Sequence, residues 1–581
     1  MNIASKVQES GGVARFLPVK QCNRSVKGVL GPSSSMPKAK HPKNTKTQKP
    51  QNTLLFKPPP FLPVKPLTPT LSCMKHLAAV LIFCFTAIAT GFAQNEGNQF
   101  FAEGIVHEIR LDFSQTGYWD SLVANKPSET YMRCNVSIDG TLYPDAGVRF
   151  KGNSSYNGPG QKKPFKIDLE EYVDDQTHDG LKQLSLNNGF KDPSFLREKL
   201  VLDFMNQHGI AAPRCSFTRL YLNNEYWGLY TAVEDIGKTF LQQRFDNNDG
   251  NLFKGDPHGS LTWKGDQQSN YAGDYELKTN EELNDWSDLI ALLDALNNSA
   301  AADLPAALGN RLHLNGWYGY WVVHSMFVNL DSYVGSGHNY YLYHNEDTDR
   351  FEFIAWDENE AFGNFKMNLT EQQIVALPYT HIPQPFSQRP LMNRLLQDAS
   401  LKQAYIDRYC ALLPYFSNEA FDARIDSLAA LIRPHVYEDT KKTFSNLQFE
   451  QNLSQDVSLP GPQGQFVMAG LKSFISNRRA ALVQQADLAA CVTSTADAAL
   501  PESLMVYPNP SSGRFFIAVK DETIISLECY DVNGRLLQAS ASLPGNTMHE
   551  WHLDVPAGLY LLKAVMGNGK VKVAKVAIGM D

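Results

Sequence analysis

The sequence lacks the short motifs that most directly announce chemistry. Its eight cysteines form no CxxC pair and no Cys/His cluster, which excludes the common structural zinc sites. No HExxH or similar metal motif occurs, so each scattered histidine is read as structural or surface-exposed. There is no Walker phosphate loop, and no glycine spacing of the ordinary protein-kinase kind. No apolar run reaches the ~20 residues that a membrane-spanning helix needs, so no transmembrane segment is expected in the mature chain. Positive charge is scarce outside the N-terminus. Residues 1–73 hold 12 Lys+Arg and one acidic residue, which leaves 41 basic and 60 acidic groups downstream, a net of −19 against −8 for the whole chain. An acidic body excludes a broad nucleic-acid-binding face.

What is present divides the chain into unlike parts. At 581 residues it exceeds the length at which a single core stops growing, so more than one folded unit is expected. Residues 1–73 are rich in Pro, Lys, Ser and Asn without apolar periodicity, and are expected to be disordered or not translated. From Met74, the run MKHLAAVLIFCFTAIATGFAQ has a basic head, an apolar stretch and small residues before Gln94. That is the anatomy of a signal peptide spanning 74–94, with cleavage near Ala93; a retained anchor is the alternative. The mature protein is therefore expected to be secreted or held at the outer cell surface. Five cysteines remain past the signal (Cys134, Cys215, Cys410, Cys491 and Cys529), and spacing does not reveal any pairing.

Alternation predicts strands over Gly104–Phe113, Tyr131–Ile138, Gly147–Lys151 and Pro164–Leu169, with a hairpin turn at Asp139-Gly140 and a polar loop, GNSSYNGPGQKK, before the last strand. A helix is predicted over Ser194–Gly209, then strands over Ser216–Leu222 and Trp227–Val233. Helices follow at Trp286–Leu296, Leu314–Asn329, Pro390–Leu413 and Asn418–Ile432, with strands Asn339–His344 and Phe351–Ala355 between the second and third. The stripe Trp317, Tyr320, Trp321 and His324 has helical spacing and is read as core. The fold class is thus α+β over residues 95–490, followed by a linker at 491–502 and a small β-sandwich over 503–581.

The C-terminal segment carries Tyr507-Pro508-Asn509-Pro510, a turn at Gly513, Asp531 to Arg535 and Pro556-Ala557-Gly558-Leu559-Tyr560. Over Leu500–Asp581 it resembles the type A C-terminal sorting domain of the type IX secretion system of Bacteroidetes. The resemblance implies that the type IX secretion machinery is a partner.

Acidic residues near strand ends are the sharpest chemical clue. Asp331 follows a helix, Asn339 opens a hairpin and Asp357 closes it, which sets two carboxylates and an amide on adjacent loops. Such a set suits a hard cation with oxygen ligands, Mg²⁺ above all, with Mn²⁺ as an alternative. Upstream, the loop with Lys151 and Ser154 and the strand with Lys166 suit a triphosphate, although Lys166 reads equally as an exposed strand lysine. Glu358 and Glu360 lie too close on one short segment to act as opposed glycosidase carboxylates. The run His258–Ala272 reads as a substrate-facing insertion.

The order of RFKGNSS, KKPFKIDL, LSLNN, FLREKLVLDFMNQHGI, YLNNEYWGLYTAVEDIGKTFLQQRF, NLFK, YELK and AWDENEAFG, over Tyr131–Arg479, resembles the CotH family of spore-coat-H-type atypical kinases. The resemblance implies a divergent protein-kinase-like domain that uses ATP and a divalent metal to phosphorylate protein hydroxyls of serine or threonine type. It implies that Asp331 is the catalytic base, that Asp357 and Asn339 are metal ligands, and that Lys166 contacts the phosphates with Glu198 as its helix partner. Arg197 is the alternative residue facing the site. Lys151 and Ser154 are expected over the phosphates, and Glu234 near the nucleotide base. A non-catalytic surface adhesion or binding protein on the same scaffold is the alternative function.

Overall fold

The computed structural model describes residues 96–461, 464–493 and most of 505–579. The expected leader (1–73), the signal peptide (74–94), most of the linker and Pro508–Pro510 of the sorting motif lie outside the described residues.

Seven strands close into a barrel: β1 (Val106–Asp112), β2 (Met132–Ile138), β3 (Thr141–Phe150), β4 (Phe165–Asp168), β5 (Gln183–Asn187), β6 (Cys215–Leu222) and β7 (Glu225–Glu234), in the order β1-β2-β3-β4-β5-β7-β6. Closure is made by β1 running parallel to β6, and all other pairs are antiparallel. Period-two alternation explains why: Met132, Cys134, Val136 and Ile138 of β2 point inward while Arg133 and Asn135 point out. Phe165 and Ile167 point inward on β4, which turns Lys166 outward. β6 and β7 are buried on both faces. Leu220, Leu222, Tyr230 and Ala232 fill the barrel, while Cys215, Phe217, Leu229 and Val233 join the larger core outside it.

That larger core is built by α1 (Arg197–Gln207), α2 (Ser287–Asn298), α3 (Leu314–Met326), α4 (Pro390–Gln397), α5 (Ala399–Leu412), α6 (Asn418–Glu438), α7 (Leu471–Val483) and α8 (Ala486–Thr493). It also takes in a four-stranded sheet of β8 (Leu252–Gly255), β9 (Tyr275–Leu277), β10 (Tyr340–Asn345) and β11 (Arg350–Ala355), ordered β11-β10-β8-β9. From Trp317 to Met326, α3 is buried on every side, as expected of a helix that is apolar all round. Trp317, Tyr320, Trp321 and His324 are core residues, as their spacing indicates.

The structure departs from the sequence reading in particular places. The predicted helix Pro390–Leu413 is two helices, broken at Asp398, whose carboxylate accepts from Ser400 N at 2.9 Å and Leu401 N at 3.0 Å and so caps α5. α6 continues past Ile432 through Pro434 to Glu438, because its end is anchored: the buried Asp439 binds Lys162 at 2.5 Å and accepts from Leu229 N at 3.1 Å. The polar loop after β3 holds one helical turn, Ser154–Asn157. β8, β9 and a hairpin of β12 (Val457–Gly461) and β13 (Gly464–Met468) were not predicted. Cys410 and Cys491 form a disulfide joining α5 to α8, while Cys134, Cys215 and Cys529 are free and buried.

In the C-terminal module, β14 (Met505–Tyr507), β15 (Arg514–Ala518) and β18 (Met548–His552) form one antiparallel sheet. β16 (Ile524–Tyr530), β17 (Leu536–Ser540), β19 (Gly558–Met566) and β20 (Val571–Ile578) form a second. Phe515, Ile517 and Trp551 from the first share a core with Leu527, Leu562 and Val576 from the second. Among the described residues no helix is long and apolar enough to cross a membrane.

Candidate active site

Two loops at the ends of α3, β10 and β11 bring the predicted acidic residues together. Asn339 adopts the left-handed conformation (φ 57°), which Asn tolerates, and its Nδ2 donates to the Asp331 carbonyl at 2.8 Å and to Asp331 Oδ2 at 3.3 Å. Its Oδ1 takes no part in these bonds. Asp357 is also left-handed (φ 63°), at the end of β11. Burial raises the Asp357 pKa, with Asp331 and Glu358 adding to the rise and Lys151 opposing it.

Beneath these carboxylates lies a buried polar chain that the sequence did not reveal. His324 Nε2 is 2.9 Å from Glu358 Oε1, Asn329 Nδ2 donates to Glu358 Oε2 at 2.7 Å, and Asn329 Oδ1 accepts from Asp331 N at 3.1 Å. Glu358 is fully buried, so both of its oxygens need these partners. The chain ties the residue after Asp357 to the backbone of Asp331. It accounts for the Glu that follows Asp357. The next residues are also engaged: Asn359 Nδ2 donates to the Phe190 carbonyl at 3.2 Å, and Glu360 binds Lys191 at 2.6 Å. Burial raises the Glu360 pKa to about 6 even so. On the other side of Asp331, His338 Nε2 is 2.9 Å from Oδ1. Burial works to lower the His338 pKa, but the hydrogen bond and charge of Asp331, with Asp256 and Asp357 behind it, raise it above the ordinary value.

The barrel supplies the opposite half. Lys151, just past β3, donates to Asn187 Oδ1 at 3.0 Å, and Asn187 Nδ2 donates to both oxygens of Glu198 at 2.9 and 3.0 Å. An amide therefore stands between lysine and glutamate. Burial lowers the Lys151 pKa, with Lys166 acting the same way and Asp357 and Glu198 opposing; burial raises that of Glu198, with Asp357 adding to it. Lys151 Nζ lies over the Trp356 ring, 5.2 Å from its centroid, and this contact beside Asp357 joins the two halves of the site.

The other predicted residues fall as follows. Lys166 pairs with Asp235 rather than with Glu198. The carboxylate of Glu234 is held by Arg214, which donates through Nη2 at 2.5 Å, and by Arg244 at 3.1 Å. Ser154 is exposed in the helical turn of the loop after β3. Gly152 allows that turn: its φ is +73°, and a Cβ there would clash with Ser155 Oγ. Lys163 fixes the loop by donating to the carbonyls of Tyr156 at 2.7 Å and Gly158 at 2.9 Å. Arg197, the alternative to Glu198, is turned away from the site, because Asp192 at 2.5 Å, Asn452 at 2.9 Å and the Ala469 carbonyl at 2.6 Å take its guanidinium.

Asp331, Asp357 and Asn339 Oδ1, which has no hydrogen-bond partner among the described residues, are all oxygen donors in a region crowded with negative charge, which fits Mg²⁺ or Mn²⁺ holding further waters and phosphate oxygens. Among the described residues no cluster of three or more His, Cys, Asp or Glu forms a ready metal cage. A site of two carboxylates and an amide does not require one.

Comparison with known proteins bears on this geometry. Residues 148–482 match the family described as CotH kinase protein, and residues 505–579 match the secretion system C-terminal sorting domain. The chain is 26% identical over 357 residues to inner spore coat protein H of Bacillus subtilis (strain 168), covering 60% of this chain and 91% of that protein. It is 24% identical over 292 residues to invasin CotH7 of Rhizopus delemar, covering 47% and 48% of the two chains. To invasin CotH3 of the same organism it is 21% identical over 349 residues, covering 56% and 57%. The chain thus spans about half the length of each of these two invasins.

Proposed function

The chain belongs to the CotH kinase protein family and ends in a secretion sorting domain, and from that premise we propose that it is an exported, metal-dependent protein kinase. ATP would give its γ-phosphoryl group to the acceptor oxygen and leave as ADP, and a bound Mg²⁺ or Mn²⁺ would offset the phosphate charge. Asp331 accepts the proton of an acceptor hydroxyl on a serine- or threonine-type protein substrate. Asp357 and Asn339 Oδ1 hold the metal. Lys151, kept in place by Asn187 and Glu198, faces the phosphates, with Lys166 as a second cation beside it and the loop of Gly152 and Ser154 above. Glu234 acts on the nucleotide side only through the two arginines it holds.

The observation that carries this reading is that Lys151, tied through Asn187 to Glu198, lies 5.2 Å from the ring centroid of Trp356, the neighbour of Asp357, while Asn339 is tied to Asp331. The succession of elements supports it as well. A loop joining β3 to β4, then β5, then α1 with an inward Glu198 follows the order in which protein kinases set their phosphate loop, lysine strand and glutamate helix. Here β5 offers Asn187 in place of a lysine, and Lys151 comes from the end of β3. The domain limits (95–490 for the kinase-like unit, 503–581 for the sorting unit), the cleaved signal peptide and surface attachment or release belong to the same proposal.

The test is incubation of the chain from Gln94 onward with γ-labelled ATP and Mg²⁺ or Mn²⁺, beside Asp357→Ala, followed by mass analysis. Label that depends on Asp357 supports the kinase. A binding protein without turnover is the second reading, favoured by relatives named as a coat protein and as invasins. Absence of both label and nucleotide-dependent thermal stabilisation would select it.

A further inference from the structure

A cavity of about 230 Å³ is lined by Ser336, from the loop that carries Asp331, together with His258, Ser260, Gln384, Gln388 and Arg389. It is small for a nucleotide, since pockets for drug-sized ligands begin at roughly 300 Å³. It is ample for one carboxylate or phosphate group and a few waters, at about 30 Å³ per water. Lys151 and Lys166 do not line it.

Arg389 is the unusual member. It is 6% exposed, yet its Nη1 and Nη2 donate only to the backbone carbonyls of Gln388 and Gly335, and its Nε has no acceptor. Its guanidinium lies over the Tyr333 ring, 5.6 Å from the centroid, and it forms no ion pair among the described residues. A guanidinium does not give up its proton, and a buried charge without a counter-ion is costly. The loop is shaped to admit it: Gly337 has φ +92°, and a Cβ there would meet Arg389 Nη2 at 2.7 Å. The cavity reaches the proposed base through one lining side chain, because Ser336 Oγ donates to Asp331 Oδ1 at 3.4 Å.

We propose that this cavity is an acceptor subsite that recognises an anionic oxygen group, a carboxylate or a phosphate, carried close in sequence to the hydroxyl presented to Asp331. The proposal rests on the phosphotransferase reading for the role of Asp331, but not for the binding of the anion. It gives a counter-ion to Arg389, which has carbonyls and the Tyr333 ring as partners but no carboxylate among the described residues. It also gives a role to His258 and Ser260, the start of the segment that reads in sequence as a substrate-facing insertion.

The test measures binding by the full chain of three labelled serine peptides: one neutral, one with a neighbouring aspartate, and one with a neighbouring phosphoserine. Gln388→Glu sets a carboxylate beside Arg389 without removing the arginine's own stitches, and Arg389→Ala removes the charge. Thermal unfolding checks that each variant is folded. The acidic and phosphorylated peptides are expected to bind at least tenfold more tightly than the neutral one, with inorganic phosphate competing, and Gln388→Glu to erase that preference. Equal binding of all three peptides, or a preference that survives Gln388→Glu, overturns the proposal. Phosphate binding without any gain for the acidic peptides overturns its acceptor role. A preference sensitive to Gln388→Glu in a chain that transfers no label would sink the kinase reading and leave the anion subsite standing.

Discussion

The two halves of the candidate site are held by different means. On the loop side, Asp331 and Asp357 rest on a buried layer in which His324, Glu358 and Asn329 satisfy one another inside the larger core. On the barrel side, Lys151 just past β3 reaches Asn187 and the Trp356 ring, and Lys166 on β4 reaches Asp235. A buried network with every member bonded has one low-energy arrangement. Lysines on flexible stems have many, and exchange partners readily when an anion arrives. The loop carboxylates are thus preset by the fold, whereas the barrel lysines are held by fewer and more exchangeable contacts.

Substitutions on the two sides should therefore differ in kind. The largest effect is on chemistry: Asp331→Ala and Asp357→Ala should each lower label transfer by at least about a hundredfold, the scale of a lost general base or charge-stabilising group. Asp357→Ala should leave stability unchanged or slightly improved, since it removes one of several crowded carboxylates. Urea unfolding checks the second half of this expectation.

On the loop side, Glu358→Ala should destabilise by about 3 kcal/mol, because it leaves the partners His324 and Asn329 buried without acceptors. The barrel counterpart, Asn187→Ala, should cost only about 1 kcal/mol while raising the KM for ATP. Equal losses of stability from the two variants would break the comparison.

Between these lies a pH effect. The folded-state pKa of Glu360 is raised to about 6 by burial, from 4.5. Between those values the unfolded chain gives up its proton first. Stability should thus fall as pH rises from 4.5 to 6, by about 2 kcal/mol, and Glu360→Gln should flatten that slope. Thermal unfolding across this range reads it directly.

Much of the loop side was legible in the sequence. Helix, loop, hairpin and strand-end aspartates follow from apolar periodicity and turn residues, and these set Asp331, Asn339 and Asp357 on neighbouring loops. The layer beneath was not legible. His324 and Glu358 are 34 positions apart, and spacing marked His324 only as core. On the barrel side the choice between Lys151 and Lys166 depends on strand pleat and on tertiary partners: Lys166 alternates outward to Asp235, and Asn187 carries no signal as a bridge. Arg197 and Glu198 are adjacent on one helix turn, so only packing decides which faces the site. β8 and β9 span four and three residues, too short for alternation to register.

The central claim is that the barrel lysine and the loop carboxylate serve one nucleotide–metal site. It is tested most directly by calorimetric titration of ATP, with and without Mg²⁺, into the wild type, Lys151→Ala and Asp357→Ala. Tighter binding with Mg²⁺ is expected in the wild type, with loss of that metal dependence in Asp357→Ala and at least tenfold weaker binding in Lys151→Ala. ATP binding that is indifferent to Mg²⁺ and equal in all three proteins would contradict the claim.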